Sequence, residues 1–479
     1  MDYTKIGFKA GLEIHQQLDS HKLFCNCPSV LRKDEPDYEV KRKLHAVAGE
    51  SGEIDDAAKY QAKLNKEFIY QGYHDSTCLV ELDEEPPHDV NKEALKIAIH
   101  IGLLMNCEIL PITQVMRKTV IDGSNTSGFQ RTTMIAHSGH LDTSEGKVGI
   151  TAIMLEEDAA RIIERGEKKE VYRLDRLGIP LVEVVTAPDL KNGEHAREVA
   201  LMIGDILRSC KVRRGLGTIR QDISISVNNG NRVELKGVQD IDLLPTTVKI
   251  ETERQLELEK NKKPTKPEVR NSLPDGKTEF LRPMPGSARM YPETDVPLLK
   301  ISRDFINDAK KDLPKLKSEI EEELRKQGLT QEMIKDLFKR GMLDSYKGLF
   351  EMFGNALLIG KLMFILPKEI AGKEKKTVED LEEIFTQELF VLILEKVRDK
   401  ELGEDRIKEV LMKVLAGTPI KEAVKFEEVD LNDIEEQVMK IVKGKPGLSP
   451  NAYMGLVMGA LKGKVSGGDA MKFINKYAK

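Results

Sequence analysis

GLEIHQQL, residues 11–18, decides how the N-terminal half is read. As an extended strand it sends alternate side chains to opposite faces. Leu12 and Ile14 then point one way, Glu13 and His15 the other. The apolar face needs a packed layer beneath it. The polar face is open to two readings, a solvated surface or half of a site.

Working outward, similar runs recur at KIGFKAGLEIHQQL (5–18), KVGITAIML (147–155), LVEVV (181–185), DISISV (222–227) and RVELKGV (232–238). The last two flank NNGN, whose Asn-Gly step supplies the positive φ of a hairpin turn. Apolar spacing at i, i+3 and i+4 predicts helices over 91–106 and 194–210. Residues 253–273 read as a helix end running into a Lys/Pro linker, and beyond YPETDVPLL (291–299) the pattern is almost purely helical. The expected architecture is an α+β multidomain protein. It has a β-rich domain over 1–297 with a short linker at 253–273, a helical domain over 298–384 and a helical tail over 385–479.

The 479 residues are 40% hydrophobic and 32% charged, the balance of a folded protein rather than a disordered one. Nothing approaches the ~18 uninterrupted apolar residues of a membrane span, and MDYTKIGFKA lacks a signal-peptide pattern. Five cysteines, an odd count, argue against a disulfide scaffold, so a reducing cytoplasm is expected. The net charge of −5 does not favour a polyanion, yet Lys440 to Lys479 holds eight lysines against one acid, Asp469. Nucleic acid would have to bind a local basic surface, with salt-sensitive affinity.

Three polar islands interrupt the strand pattern. In TAIMLEEDAARII (151–163) an apolar run delivers Glu156, Glu157 and Asp158; such a run is either solvated, a helix N-terminal cap, or a ligand group. Glu183, within LVEVV, shares a strand face with Leu181 and Val185 and needs a cation, either a metal or a base such as Arg173 or Arg176. VMRKTVIDGSNTSGFQRT (115–132) gathers Arg117, Lys118, Ser124, Thr126 and Ser127 in a loop able to cradle phosphate, although a plain Gly/Ser turn fits as well. One imidazole with several carboxylates is a hard donor set suited to Mg²⁺. Cys25 and Cys27 in KLFCNCP, with Cys78, would bind zinc given one further ligand, though the usual second C-x-x-C pair is missing. Cys107 and Cys210 sit in helical patterns and read as core. No P-loop, dinucleotide fingerprint, kinase signature or nucleophile triad is present.

GLEIHQQL, RKTVIDGSNTSGFQRT, LEEDAAR, DRLGIPLVEVVTAPD, GLGTIRQDISISV, VELKGVQDIDLLP and RPMPGSARMYPETDVP occur in this order. Together they resemble the family of B and E subunits of tRNA-dependent amidotransferases, in variants similar to the archaeal E subunit of glutamyl-tRNA(Gln) amidotransferase. The resemblance implies ATP- and Mg²⁺-dependent phosphorylation of the γ-carboxylate of glutamate carried by tRNA(Gln). Ammonia from an asparaginase-like glutaminase partner, of the D type, then displaces the phosphate. It implies His15, Glu156, Glu157 and Glu183 as Mg²⁺ ligands with Glu13 beside them, and Arg117, Lys118, Ser124, Thr126, Ser127, Arg220 and Lys236 as nucleotide contacts. Asp222 would support the pocket, and Arg289 and Tyr291 would shape it. The tail, 385–479, would meet tRNA. Archaeal relatives carry an inserted domain related to one of bacterial aspartyl-tRNA synthetases, for which 253–273 leaves no room. That departure keeps a B-type enzyme of mixed Asp-tRNA(Asn) and Glu-tRNA(Gln) specificity, with an amidase-like partner, as the alternative, and a tRNA-binding scaffold as the non-enzymatic one.

Overall fold

Leu12 and Ile14 are buried while Glu13 and His15 are only half-buried, the alternation expected of a strand covered on one face. The computed structural model describes residues 1–479 apart from 47, 49–51, 55, 229, 264, 287–289, 427–430, 462–466 and 478–479. It divides into two units, Met1–Lys317 and Ser318–Lys479. The protein is α+β: a large sheet dominates the first unit and helices make up the second.

Ten strands form the path of the main sheet: β1 (Lys9–Gln17), β2 (Met116–Thr119), β3 (Phe129–Thr143), β4 (Gly146–Glu157), β5 (Pro180–Thr186), β6 (Ile219–Ser226), β7 (Val233–Lys236), β8 (Glu268–Ser272), β9 (Thr278–Pro283) and β10 (Met290–Pro292). Their order across the sheet is β9-β8-β7-β6-β1-β5-β4-β3-β2-β10. β1 therefore sits centrally, antiparallel to both β5 and β6, and its register sets His15 opposite Glu183 on one side and Arg220 on the other. Glu13 likewise faces Asp222. β6 and β7 form the expected antiparallel pair. EEDAARII caps no helix: Glu156 and Glu157 end β4, and Arg161–Arg165 is a further strand.

Behind the apolar face pack α1 (Lys92–Leu104) and α2 (Gly193–Ser209). Each starts on an asparagine whose side chain satisfies otherwise unpaired amides: Asn91 accepts from Glu93 N and Ala94 N, Asn192 from His195 N. A third helix, α3 (Leu244–Lys260), carries Glu253–Lys260 of the expected linker, and β8 takes Glu268–Ser272, so only 261–267 lies between helix and strand. The second unit holds two apolar cores, one among residues Leu324–Val424 and one among Ile434–Ile474. Among the described residues no helix is long and apolar enough to cross a membrane.

Candidate active site

The polar face of β1 opens onto a cavity of about 600 Å³. The sheet wraps far enough for Lys118 of β2 and Arg282 of β9 to line the same space. At its centre Glu13, His15 and Glu183 bring one ligand atom each within 4.8 Å of one another. His15 Nε2 lies 3.2 Å from Glu183 and 3.6 Å from Glu13. Lys118 Nζ bridges Glu156 at 2.7 Å and Glu183 at 3.4 Å. The cation that Glu183 needs is thus supplied by Lys118 and His15, not by the arginines that the sequence offers. Arg173 bonds Gln71, and Arg176 approaches Asp158.

The protonation pattern follows from these neighbours. Burial and then the charge of Glu183 push Glu13 up to about 7. Burial also penalises Glu183, but Lys118 and His15 outweigh it and hold its carboxyl well below the usual range. Burial alone would lower His15, yet the hydrogen bond and charge of Glu183 raise it above an ordinary imidazole. Two carboxylates and an imidazole converge at one point. This donor set fits a hard divalent cation.

The other expected residues divide between the cavity wall and the rest of the sheet and its loops. Ser124, Arg220 and Lys236 line the cavity; Arg220 donates to Asp158 at 2.9 Å and Lys236 to Asp222 at 2.7 Å. The loop bearing Ser124 is shaped by Gly123, whose φ of +90° and close approach to Phe68 leave no room for a Cβ. Arg117, Glu157, Thr126 and Ser127 lie elsewhere. Arg117 bonds Glu293 at 2.5 Å, and Arg131 holds both Glu293 (2.8 Å) and Glu157 (3.4 Å). The Arg117 and Arg131 guanidinium groups stack on Phe129 at 4.5 and 5.2 Å, with Tyr291 alongside. Thr126 donates to Glu81 O and Ser127 to Phe129 O. Arg289 lies outside the described residues.

A second cluster joins Cys25, Cys27 and Cys78 to Glu81, again within 4.8 Å. Glu81 accepts from Cys25 Sγ at 2.9 Å and from Cys78 N at 2.8 Å, and the fully buried Lys22 lies 3.4 Å from it. Hydrogen bonds from Cys25 and Cys78 pull Cys27 down to about 4, while the same contacts and burial push Cys25 up. This Cys-rich cluster is compatible with zinc. Glu81 is invisible to a reading that counts cysteines alone. Its position three residues after Cys78 is the available signal.

Residues 8–307 match the family model described as the GatB/GatE catalytic domain. The chain belongs to the GatB/GatE family. It is similar to the E subunit of glutamyl-tRNA(Gln) amidotransferase from Methanocaldococcus jannaschii, at 37% identity covering 96% of this chain and 92% of that protein. The same-named protein of Archaeoglobus fulgidus is 34% identical over 98% and 97%, and that of Methanosarcina barkeri 34% over 97% and 96%. These alignments run over 603 to 619 positions against 479 residues here, so these GatB/GatE relatives carry a long stretch with no counterpart in this chain.

Proposed function

We propose that this chain is the phosphorylating and amidating component of a glutamyl-tRNA(Gln) amidotransferase. A carboxylate is a poor acyl electrophile, so amidation needs a leaving group. In this reading the γ-carboxylate of the tRNA-bound glutamate attacks the γ-phosphorus of ATP and ADP departs. Ammonia then displaces phosphate from the acyl phosphate to give glutaminyl-tRNA(Gln). The single observation that carries the reading is the convergence of Glu13, His15 and Glu183 in a cavity that also holds Lys118.

Glu13, His15 and Glu183 would hold Mg²⁺, and when bound it would offset charge on the transferring phosphoryl group. Lys118 orients Glu183 and Glu156 and brings its positive charge to the cavity, where an incoming anion would meet it. Arg220 and Lys236 keep Asp158 and Asp222 at the cavity wall and offer N–H donors beside it. Ser124 supplies a hydroxyl at the rim. Glu157, Arg117, Thr126 and Ser127 are left out of the chemistry, because their bonds are made away from the cavity. Ammonia would come from an asparaginase-like partner of the D type. The lysines between Lys440 and Lys479 would meet tRNA phosphates. The cysteine cluster would hold a structural zinc.

The relatives' extra stretch favours keeping the B-type enzyme as the second reading. One assay separates the two: amidation of labelled Glu-tRNA(Gln) with ammonium, ATP and Mg²⁺, run beside Asp-tRNA(Asn). Conversion of glutamate alone supports the proposal, and conversion of both moves the chain to the mixed type. Folded protein inert on both, with and without a glutaminase partner, would leave a tRNA-binding scaffold.

A further inference from the structure

The loop between β2 and β3 lines the cavity with Ser124 and Asn125, yet the groups that hold it lie outside the cavity. A smaller sheet, in the order Tyr38–Arg42, Glu67–Gly72, Lys169–Arg173, Arg161–Arg165, makes Tyr70 and Tyr172 register partners on its two central, parallel strands. Their phenols meet consecutive backbone carbonyls of the loop. Tyr70 O–H donates to Gly123 O at 2.8 Å, and Tyr172 O–H, shared with Glu170, to Asp122 O at 2.9 Å. Both rings are buried, and neither lines the cavity. Ala160 N, just past Asp158, donates to Ser124 O at 2.8 Å, and Thr126 is held by Glu81 O. The chain is therefore fixed on either side of Asn125. That residue is 2% exposed, and its side-chain Oδ1 has no hydrogen-bond partner among the described residues. The carboxylates at this end of the cavity are satisfied: Asp158 accepts from Gln17 and Arg220, Glu156 from Lys118 and Gln130.

A buried carbonyl left unpaired carries the full cost of its lost water. A loop pinned this firmly around one is a place where a ligand can supply the donor. We propose that Asn125 receives the α-ammonium group of the glutamyl ester, and that Tyr70 and Tyr172 are positioning residues that hold its amide in place. This inference rests on the function proposed above and names, for the same cavity, the group that reads the amino acid. Lys118, Arg220 and Lys236 suit the anionic parts of the reactants. The α-ammonium group is the one organic cation among them. Like a lysine ammonium it donates three hydrogen bonds and accepts none, so it needs an acceptor that no side chain already occupies. Asn125 Oδ1 is such an acceptor, and being neutral it leaves no buried charge uncompensated before the ester arrives.

The test is steady-state amidation by the full-length chain, with ammonium, ATP and Mg²⁺, of Glu-tRNA(Gln) and of its α-hydroxy analogue, in which a hydroxyl replaces the α-ammonium group. The variants are Asn125→Leu, Asn125→Asp and Tyr172→Phe, with the thermal midpoint of each as the folding control. Asn125→Leu should lower kcat/KM for Glu-tRNA(Gln) on the order of tenfold, mainly through KM, and for the analogue by less than about threefold. Asn125→Asp keeps an acceptor and should recover most of that loss. Tyr172→Phe should cost about threefold on Glu-tRNA(Gln) and add nothing in an Asn125→Leu background, as expected of a group that acts through another. KM for ATP should stay within about twofold throughout. Equal losses on the two esters overturn the assignment. So does a rise in KM for ATP alone, which would give the amide to the nucleotide. A Tyr172→Phe loss that adds in full to that of Asn125→Leu overturns the positioning role. If the unmodified chain amidates neither ester, the proposed function fails and the inference with it; if it amidates Glu-tRNA(Gln) and Asn125→Leu does so equally well, the inference fails alone.

Discussion

Lys118 and Glu156 face the cavity, whereas Arg117 and Glu157, each one residue away on the same strands, face the other side of the sheet. On that other side the charges close on themselves. Glu293 is fully buried and receives Arg117 and Arg131, Arg131 also holds Glu157, and the Phe129 ring covers both guanidinium groups. On the cavity side the matching stops short. Among the described residues Glu13 has only the His15 ring in ion-pair contact, and its carboxyl is pushed up to about 7. Both faces hold acids and bases. What separates them is whether the pairing is finished: a closed network makes scaffold, an open one a place for a ligand.

The largest effect that could break this contrast is on catalysis. Glu183→Gln and His15→Ala should each lower Glu-tRNA(Gln) amidation on the order of 10³-fold, as removal of a charge-stabilising group does. Their thermal midpoints should stay near that of the parent. Glu157→Gln should do the reverse, keeping kcat in the folded fraction. If Glu157→Gln abolished turnover in a stable protein, the division of the two faces would be lost.

Next in size comes the closed network. Glu293→Leu leaves Arg117 and Arg131 without their shared partner beneath the surface, which costs roughly 3–5 kcal/mol. Urea denaturation should register this as a lower midpoint with an unchanged slope. A shift under ~1 kcal/mol would mean that the arginines reach water in solution, and the back face would then not be closed.

The cysteine cluster applies the same criterion elsewhere. Three thiols and Glu81 converge against a single cation, Lys22, so the set is again unfinished and asks for a metal. Purified protein should carry one zinc per chain by elemental analysis. Removing it with a chelator, or substituting Cys27→Ser, should lower the thermal midpoint by several degrees, about 2 kcal/mol for a chain of this size. Metal-free protein of unchanged stability would leave the cluster as three ordinary thiols around a buried acid.

How far the sequence carried this picture depended on strand parity. GLEIHQQL alternates strictly, so the Glu13–His15 face was legible from eight residues, and the β6–β7 pair was legible from the alternation either side of NNGN; the expected Asn-Gly step includes residue 229, outside the described residues, and the left-handed residue described there is Asn228. Helices at 91–106 and 194–210 appeared within a residue or two because their apolar stripes and asparagine caps agree. Glu156 and Glu157 were not separable. Three acids in a row resemble a helix cap as much as a strand end, and only as the end of β4 do they take opposite faces. Arg117 and Lys118 pose the same problem: adjacent bases in a loop-like motif carry no label of which one faces the site.

The smallest predicted effect falls on the residue that touches both sides of the contrast. Gln130 lies opposite Lys118 in the register, and its amide donates to the Glu156 carboxylate at 3.1 Å and to the backbone carbonyl of Glu157 at 2.7 Å. Through the first bond it fixes a cavity side chain; through the second it fixes the strand end that sends Glu157 the other way. Gln130→Ala removes both bonds without removing a charge, at a cost of about 1 kcal/mol in stability. If Glu156 serves the site by holding Lys118, amidation should fall roughly tenfold beyond that loss, because a loosened Glu156 lets Lys118 swing onto Glu183. The fall should appear in kcat, and it should persist in Gln130→Met, which restores bulk but not the donor. Equal losses of activity and stability would place Glu156 with the scaffold, and the boundary between the two networks would move one residue along the strand.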